Sequence, residues 1–234
     1  MAIGTLYVIP TALAECSVDL VIPAQVAARV ATLRVFVVET AKTARAHLKW
    51  LGHPGPMQEL TVIEIGSARS DAAAALWAAL EAGSDVGLMS DAGCPGIADP
   101  GATMVREARR RGCRVVPLAG PSSLMLALMA SGLEGQRFRF VGYLPAETMA
   151  RENALRDLEL TSKRREETQI FIETPYRNDA LVTSLLRTLQ RETALCIAMD
   201  MTGAEESIDT RTVAKWRERP PTVGKRPTVY LLLA

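Results

Sequence analysis

The stretch VGLMSDAGCPGIADPG, residues 86–101, decides how the rest of the chain is read. Its first four residues have the length and apolar character of a buried strand. The twelve that follow hold three glycines, two prolines and two aspartates. Glycine admits positive φ and close backbone approach, while proline fixes φ and removes a donor. Such a loop at the end of a core strand is built to hold one shape against something small.

Working outward, strands and helices alternate. Residues 6–9 form an apolar run ended by Pro10, and 34–38 form a second, followed by a helical stretch over about 40–51 that stops near Gly52. Ser70 is placed to cap a helix over 71–82, with Asp71 at its positive end and Gly83 as terminator. A strand over 85–89 delivers the opening loop. A helix over 101–111 and a strand over 114–117 follow. The segment PLAGPSS, 117–123, breaks the rhythm and marks the expected boundary between an N-terminal domain, 1–118, and a C-terminal domain, 119–234. Ser122 and Ser123 stand where they can cap the next helix, which runs to Ala130. The second half continues with strands over 138–141, 169–172, 194–199 and 228–233 and helices over 148–160 and 178–189. This alternation predicts an α/β fold with substantial parallel pairing, and ligands in such sheets sit beyond the carboxyl ends of strands.

The bulk composition narrows the function classes. The chain has 234 residues, 48% hydrophobic and 23% charged, with a net charge of +1. A protein that holds nucleic acid chiefly through phosphates carries a clear basic excess. The dense basic runs, Arg109-Arg110-Arg111 and Lys163-Arg164-Arg165, fall at expected helix ends, where they complement the helix dipole. Cys16, Cys94, Cys113 and Cys196 are far apart, and His47 and His53 are the two histidines, so no metal site is expected. Free thiols fit a reducing cytoplasm. The start, MAIGTLYVIP, has no basic leader, and no window is apolar enough to span a bilayer. A soluble, cytoplasmic protein with no membrane partner is expected.

Four strand-end segments stand out: Pro10-Thr11, the loop over 91–101, Gly120-Pro121-Ser122-Ser123, and Glu173-Thr174-Pro175-Tyr176-Arg177. Each alone reads more readily as a tight connection or a helix cap than as a ligand site. Together they indicate a ligand site. No GxGxxG follows a strand, and no GxxxxGK followed by Ser or Thr occurs, so neither a dinucleotide fold nor a P-loop is supported. VIEIGSARSD, 62–71, has one glycine where the acidic-glycine loop of the commonest methyltransferase fold needs several. No GxSxG elbow supports a serine hydrolase.

The segments GTLYVIPT, SDAGCPGIADPG, VVPLAGPSS, FVGYLP and IFIETPYR occur in this order at fitting spacing. With them the chain resembles the tetrapyrrole (corrin and porphyrin) methylase superfamily, class III S-adenosylmethionine-dependent methyltransferases, and within it the branch that methylates ribose 2'-hydroxyls of 16S ribosomal RNA. The resemblance covers nearly the whole chain. It implies two α/β domains with S-adenosylmethionine in the cleft between them, and a homodimer. Carried over by position, the cofactor meets Pro10, Asp91, Ala92, Gly93, Cys94, Ile97, Ser122, Ser123, Glu173 and Met201. Asp91 and Asp99 either brace the loop or attract the cofactor's cationic groups. Glu39 and Lys42 fall where the branch carries an acidic-basic EDTR element and are the catalytic candidates, the other reading being an ion pair three residues apart on a helix.

The departures lie on the acceptor side. The branch's PTPIGNL is replaced by Pro10-Thr11-Ala12-Leu13-Ala14-Glu15, its HEHN by Ile63-Glu64-Ile65-Gly66, its SPHR by Thr174-Pro175-Tyr176-Arg177, and its ARELTK by Ala198-Met199-Asp200-Met201-Thr202-Gly203. The loss of histidine, asparagine and basic groups weakens expected RNA contacts. Three readings therefore stay open: a ribosomal RNA methyltransferase, a methyltransferase for a small molecule such as a tetrapyrrole, and a non-catalytic cofactor-binding module.

Overall fold

A computed structural model describes residues 3–66 and 69–234. The chain divides into two compact units, Met1–Ser122 and Ser123–Ala234, each built on a five-stranded sheet.

In the first unit the strands are β1 (Leu6–Ile9), β2 (Val35–Val38), β3 (Thr61–Glu64), β4 (Val86–Met89) and β5 (Val115–Pro117). They lie in the order β3-β2-β4-β1-β5, all parallel. All four residues of β4 are buried, as a central strand covered on both faces requires. A Cβ on Gly87 would sit 2.6 Å from Ile9 Cδ1 and 2.7 Å from Phe36 Cδ1, so only glycine fits there. Side chains alternate between two cores. Leu6, Val37, Val86 and Leu88 pack with Leu76, Leu80 and Met104 on one face, and Ile9, Phe36, Val38 and Met89 pack with Val30 and Leu48 on the other. The helices are α1 (Val18–Val21), α2 (Ala24–Val30), α3 (Ala41–Trp50), α4 (Arg69–Glu81) and α5 (Gly101–Arg110). The pair α1 and α2, split by Pro23, was not expected from the sequence. Because α4 already begins at Arg69, Ser70 lies inside it rather than at its cap, and the residues just ahead of it lie outside those described.

The second unit contains α6 (Ser123–Ser131), β6 (Phe138–Tyr143), α7 (Thr148–Arg165), β7 (Thr168–Ile172), α8 (Asn178–Thr188), β8 (Ala194–Met199), β9 (Ser207–Thr212), α9 (Val213–Glu218) and β10 (Thr228–Leu233). The parallel pairing that dominates the first sheet does not carry over to this one. The order is β6-β7-β10-β8-β9, and only β6 with β7 is parallel; the other three pairings are antiparallel. Residues 200–206 are too short a link for a crossover, so β9 folds back on β8 as a hairpin. Helix α7 runs past the expected end at 160 to Arg165, stopping where Glu166 turns left-handed (φ 50°), which puts Lys163-Arg164-Arg165 in its last turn. Its N-cap is Glu147, whose carboxylate accepts from Met149 N (2.9 Å) and Ala150 N (2.6 Å). Among the described residues, no helix is long and apolar enough to cross a membrane.

Candidate functional site

In the first unit, β4 lies between β2 and β1, so the connections leaving β1 and β4 run to opposite sides of the sheet. That reversal places the expected ligand site at the carboxyl ends of these two strands. The rim there is fastened across every neighbouring pair in sheet order. Glu64 Oε2, ending β3, accepts from Ala41 N at 3.1 Å, just beyond β2. Glu39 Oε2, ending β2, accepts from Asp91 N at 3.1 Å, and Thr40 Oγ1 donates to Asp91 Oδ2 at 2.8 Å. Thr11 N donates to Gly93 O at 2.9 Å, joining β4 to β1. Pro10 lies against Gly120, where an added Cβ would fall 2.2 Å from Pro10 Cγ, and this joins β1 to β5. Cys94 Sγ adds a contact to Pro121 O at 3.4 Å.

Within the loop after β4, Gly93 (φ 73°), Gly96 (φ 87°) and the non-glycine Ala98 (φ 62°) are all left-handed. Asp99 holds them: its carboxylate accepts from Gly96 N at 2.8 and 3.0 Å and from Gly101 N at 2.6 Å. Both aspartates therefore brace the loop. Asp91 and Ala92 are exposed, and Ile97 stands 48% exposed. The Cys94 thiol is pushed above its ordinary pKa by burial and by the nearby Asp99 charge, so it is a neutral thiol rather than a nucleophile.

The alternative reading of Glu39 and Lys42, an ion pair on a helix, does not hold. Helix α3 begins at Ala41, so Glu39 precedes it and turns to Asp91 N, while Lys42 is exposed with no carboxylate partner among the described residues. The sequence singles out Pro10-Thr11 but gives no reason to choose three further rim residues: Thr40, Glu64 and His47. His47 is buried on α3, with Ala12 N 3.5 Å from Nδ1 and Nε2 unpartnered among the described residues. Burial lowers its pKa to about 4, the main chain of Pro10 pulling weakly the other way. The imidazole under the Pro10–Ala12 turn is therefore neutral at ordinary pH.

Ser122 ends the first unit, and Ser123 opens α6 in the second. Glu173 and Met201 follow β7 and β8, at the end of the second sheet where β10 begins beside both strands. Glu173 is buried; its Oε1 accepts from Thr174 N (2.6 Å) and pairs with Arg177 Nη2 (2.5 Å), while Oε2 is buried without a partner among the described residues. Met201 is buried between the left-handed Asp200 (φ 50°) and Thr202 (φ 70°). A cavity of about 450 Å³, lined by Arg156, Glu159, Lys163, Gln190 and Thr193 among others, lies at the opposite end of β8. The Glu159 carboxylate there is engaged by Gln190 N and Thr193 Oγ1.

Known proteins share this chain's pattern. Residues 21–215 match the Tetrapyrrole (Corrin/Porphyrin) Methylases family. A Pseudomonas aeruginosa protein named ribosomal RNA small subunit methyltransferase I is 32% identical over 92% of this chain and 72% of its own length. The Haemophilus influenzae protein of the same name is 38% identical over 59% of the chain, and that match spans about half (48%) of the relative's length. A solved Thermus thermophilus uroporphyrin-III C-methyl transferase, complexed with S-adenosylhomocysteine, shares the fold at 17% identity, with a TM-score of 0.59 over 98% of this chain and 97% of that one. With the family pattern covering most of its length and the two-sheet fold in common, the chain belongs to the Tetrapyrrole (Corrin/Porphyrin) Methylases.

Proposed function

We propose that the chain is an S-adenosylmethionine-dependent methyltransferase acting on a ribose 2'-hydroxyl of 16S ribosomal RNA. The observation that carries this reading is the 32% identity held over 92% of the chain with a relative named for ribosomal RNA. The rim of the first unit fits the cofactor. Asp91 and Ala92 are exposed at the rim, the exposed Ile97 offers an apolar face, and left-handed Gly93 and Gly96 let the backbone come close. In the second unit, the buried and unpartnered Glu173 Oε2 is a carboxylate oxygen with acceptor capacity to spare. Pro10, Cys94, Ser122, Ser123 and Met201 complete the proposed cofactor set.

When bound, the cofactor supplies an already activated methyl group, so the protein's part is alignment and exclusion of water. Glu39 spends Oε2 on Asp91 N–H and keeps Oε1 to take the acceptor hydroxyl's proton. The exposed ammonium of Lys42 offsets the charge of an adjoining phosphate. The same reading includes a homodimer in the cytoplasm, and four free thiols fit a reducing compartment.

Calorimetric titration with S-adenosylmethionine and S-adenosylhomocysteine comes first, then transfer of tritiated methyl to small ribosomal subunits, naked 16S rRNA and uroporphyrin. Saturable cofactor binding and labelling of ribosomal RNA are expected. Glu39→Gln retains binding and loses about 10²–10⁴-fold in transfer. A folded chain that binds neither cofactor form refutes the reading, labelling of uroporphyrin alone replaces the acceptor, and light scattering reports the dimer.

A further inference from the structure

Tyr176 is the most exposed large hydrophobic side chain at the strand ends of the second unit, at 82%, in a turn that is otherwise tightly held. It occupies the middle of a single 3-10 turn, Pro175–Arg177, between β7 and α8. Behind it, Arg177 N donates to Thr174 O at 2.9 Å, and Arg177 Nε reaches Glu173 Oε1 at 2.9 Å and Thr174 Oγ1 at 3.2 Å. Lys225 Nζ lies 4.9 Å from the centroid of the Tyr176 ring. Its segment is fixed from the same turn. The fully buried Asn178 donates to Gly224 O (2.9 Å) and Arg226 O (2.8 Å), the carbonyls on either side of Lys225, and accepts from Tyr230 OH at 3.0 Å. Asp179 Oδ1 accepts from Gly224 N at 3.2 Å.

A buried amide and a half-buried ion pair thus mount an exposed aromatic ring with an ammonium over one face. The charges around them are largely committed. Arg177 is paired with Glu173, and Arg226 lies 3.9 Å from Asp200. Lys225 has no carboxylate partner among the described residues, and it sits in a segment, 211–226, with six cations against the single acid Glu218. Tyr143, 51% exposed and in register with Ile172, stands at the same edge. A ring held open beside a spare cation suits a ligand with a flat π-face next to a phosphate. An unpaired nucleotide has both, and every base can stack.

We infer that Tyr176 and Lys225 form a stacking-and-phosphate contact for single-stranded RNA. This rests on the RNA reading of the proposed function and adds the residues that grip an unpaired base. The ring takes the base and the ammonium takes the neighbouring phosphate. Fixing both groups beforehand removes the ordering cost that a flexible pair would incur.

The test is fluorescence anisotropy of the full chain with a short fluorescein-labelled single-stranded RNA of mixed sequence across a salt series, with S-adenosylhomocysteine calorimetry on the same proteins. Tyr176→Ala is expected to weaken RNA binding about tenfold, and Tyr176→Phe to stay within about twofold of wild type. Lys225→Gln is expected to flatten the salt dependence by about 0.7, one phosphate on a single strand. Cofactor affinity stays unchanged in all three. RNA binding that is absent in wild type, insensitive to Tyr176→Ala, or lost equally in Tyr176→Phe overturns the inference. If that happens while S-adenosylhomocysteine still binds, only this inference falls. If S-adenosylhomocysteine does not bind while Tyr176→Ala weakens RNA, the contact stands and the methyltransferase reading falls.

Discussion

Removing the Asp99 carboxylate should loosen the loop after β4 more than any other single change there. The carboxylate accepts from two main-chain donors, Gly96 N and Gly101 N, on either side of left-handed Ala98. A hydrogen bond to a charged partner contributes about 1.5–3 kcal/mol net. Asp99 is half-buried, so water recovers part of each loss, and Asp99→Ala is expected to cost about 3 kcal/mol in all. An L-residue held left-handed is strained by about 1–2 kcal/mol, which Ala98 recovers in part as it relaxes once its brace is gone. Asp99→Asn keeps one acceptor oxygen and should lose about half as much. Passed fully to ligand binding, about 3 kcal/mol is roughly a hundredfold in affinity. Urea denaturation reads the first quantity and S-adenosylhomocysteine calorimetry the second. If Asp99→Ala matches wild type in both, the loop is not held by this carboxylate and the preorganisation argument fails.

Three further outcomes follow from the geometry. His47 has a folded pKa of about 4 against an ordinary 6.5, so the unfolded chain binds the extra proton between those values and stability rises with pH across that window. The loss on acidification from 6.5 to 4 is on the order of 3 kcal/mol, and His47→Gln should flatten the denaturation midpoint there; an unchanged slope would place the titrating group elsewhere. Arg177→Met leaves the buried Glu173 carboxylate without its cation, at a cost near 3 kcal/mol because the Arg177 side chain is itself 34% exposed; pairing it with Glu173→Gln should restore most of that in a melt. Gly120→Ala drives a methyl into the rigid Pro10 ring and should destabilise by about 1–3 kcal/mol, with partial recovery in the Pro10→Ala double variant; strictly additive losses would mean the two do not touch.

The legible parts of the fold are those where burial is symmetric. Strands β1, β2 and β4 are short apolar runs because both faces of the first sheet are covered, and each is punctuated by proline, glycine or a polar turn. Strand β9, Ser207–Thr212, escaped because it is an edge strand with no residue fully buried, so its alternation carries little contrast. Helix α9 is six residues long, below the length at which helical period can be read. The mixed pairing of the second sheet was hidden for another reason: period and composition mark a strand but not its direction.

The same limit governs the site. Glycines and prolines announced that backbones come close at the rim, and Pro10 against Gly120 is such an approach. The braces themselves join residues about fifty to eighty positions apart, Thr40 with Asp91 and Thr11 with Gly93. They become neighbours only because β4 inserts between β2 and β1. Strand order thus turns Glu39, Glu64 and Asp91, which in the sequence are three unrelated acids, into acceptors each facing a donor from the neighbouring strand end. In the proposed reaction, Glu39 would therefore meet the acceptor hydroxyl with one oxygen already fixed on Asp91 N. Its replacement by Gln keeps an oxygen for that anchor and removes only the proposed base, so the variant tests that role apart from loop structure.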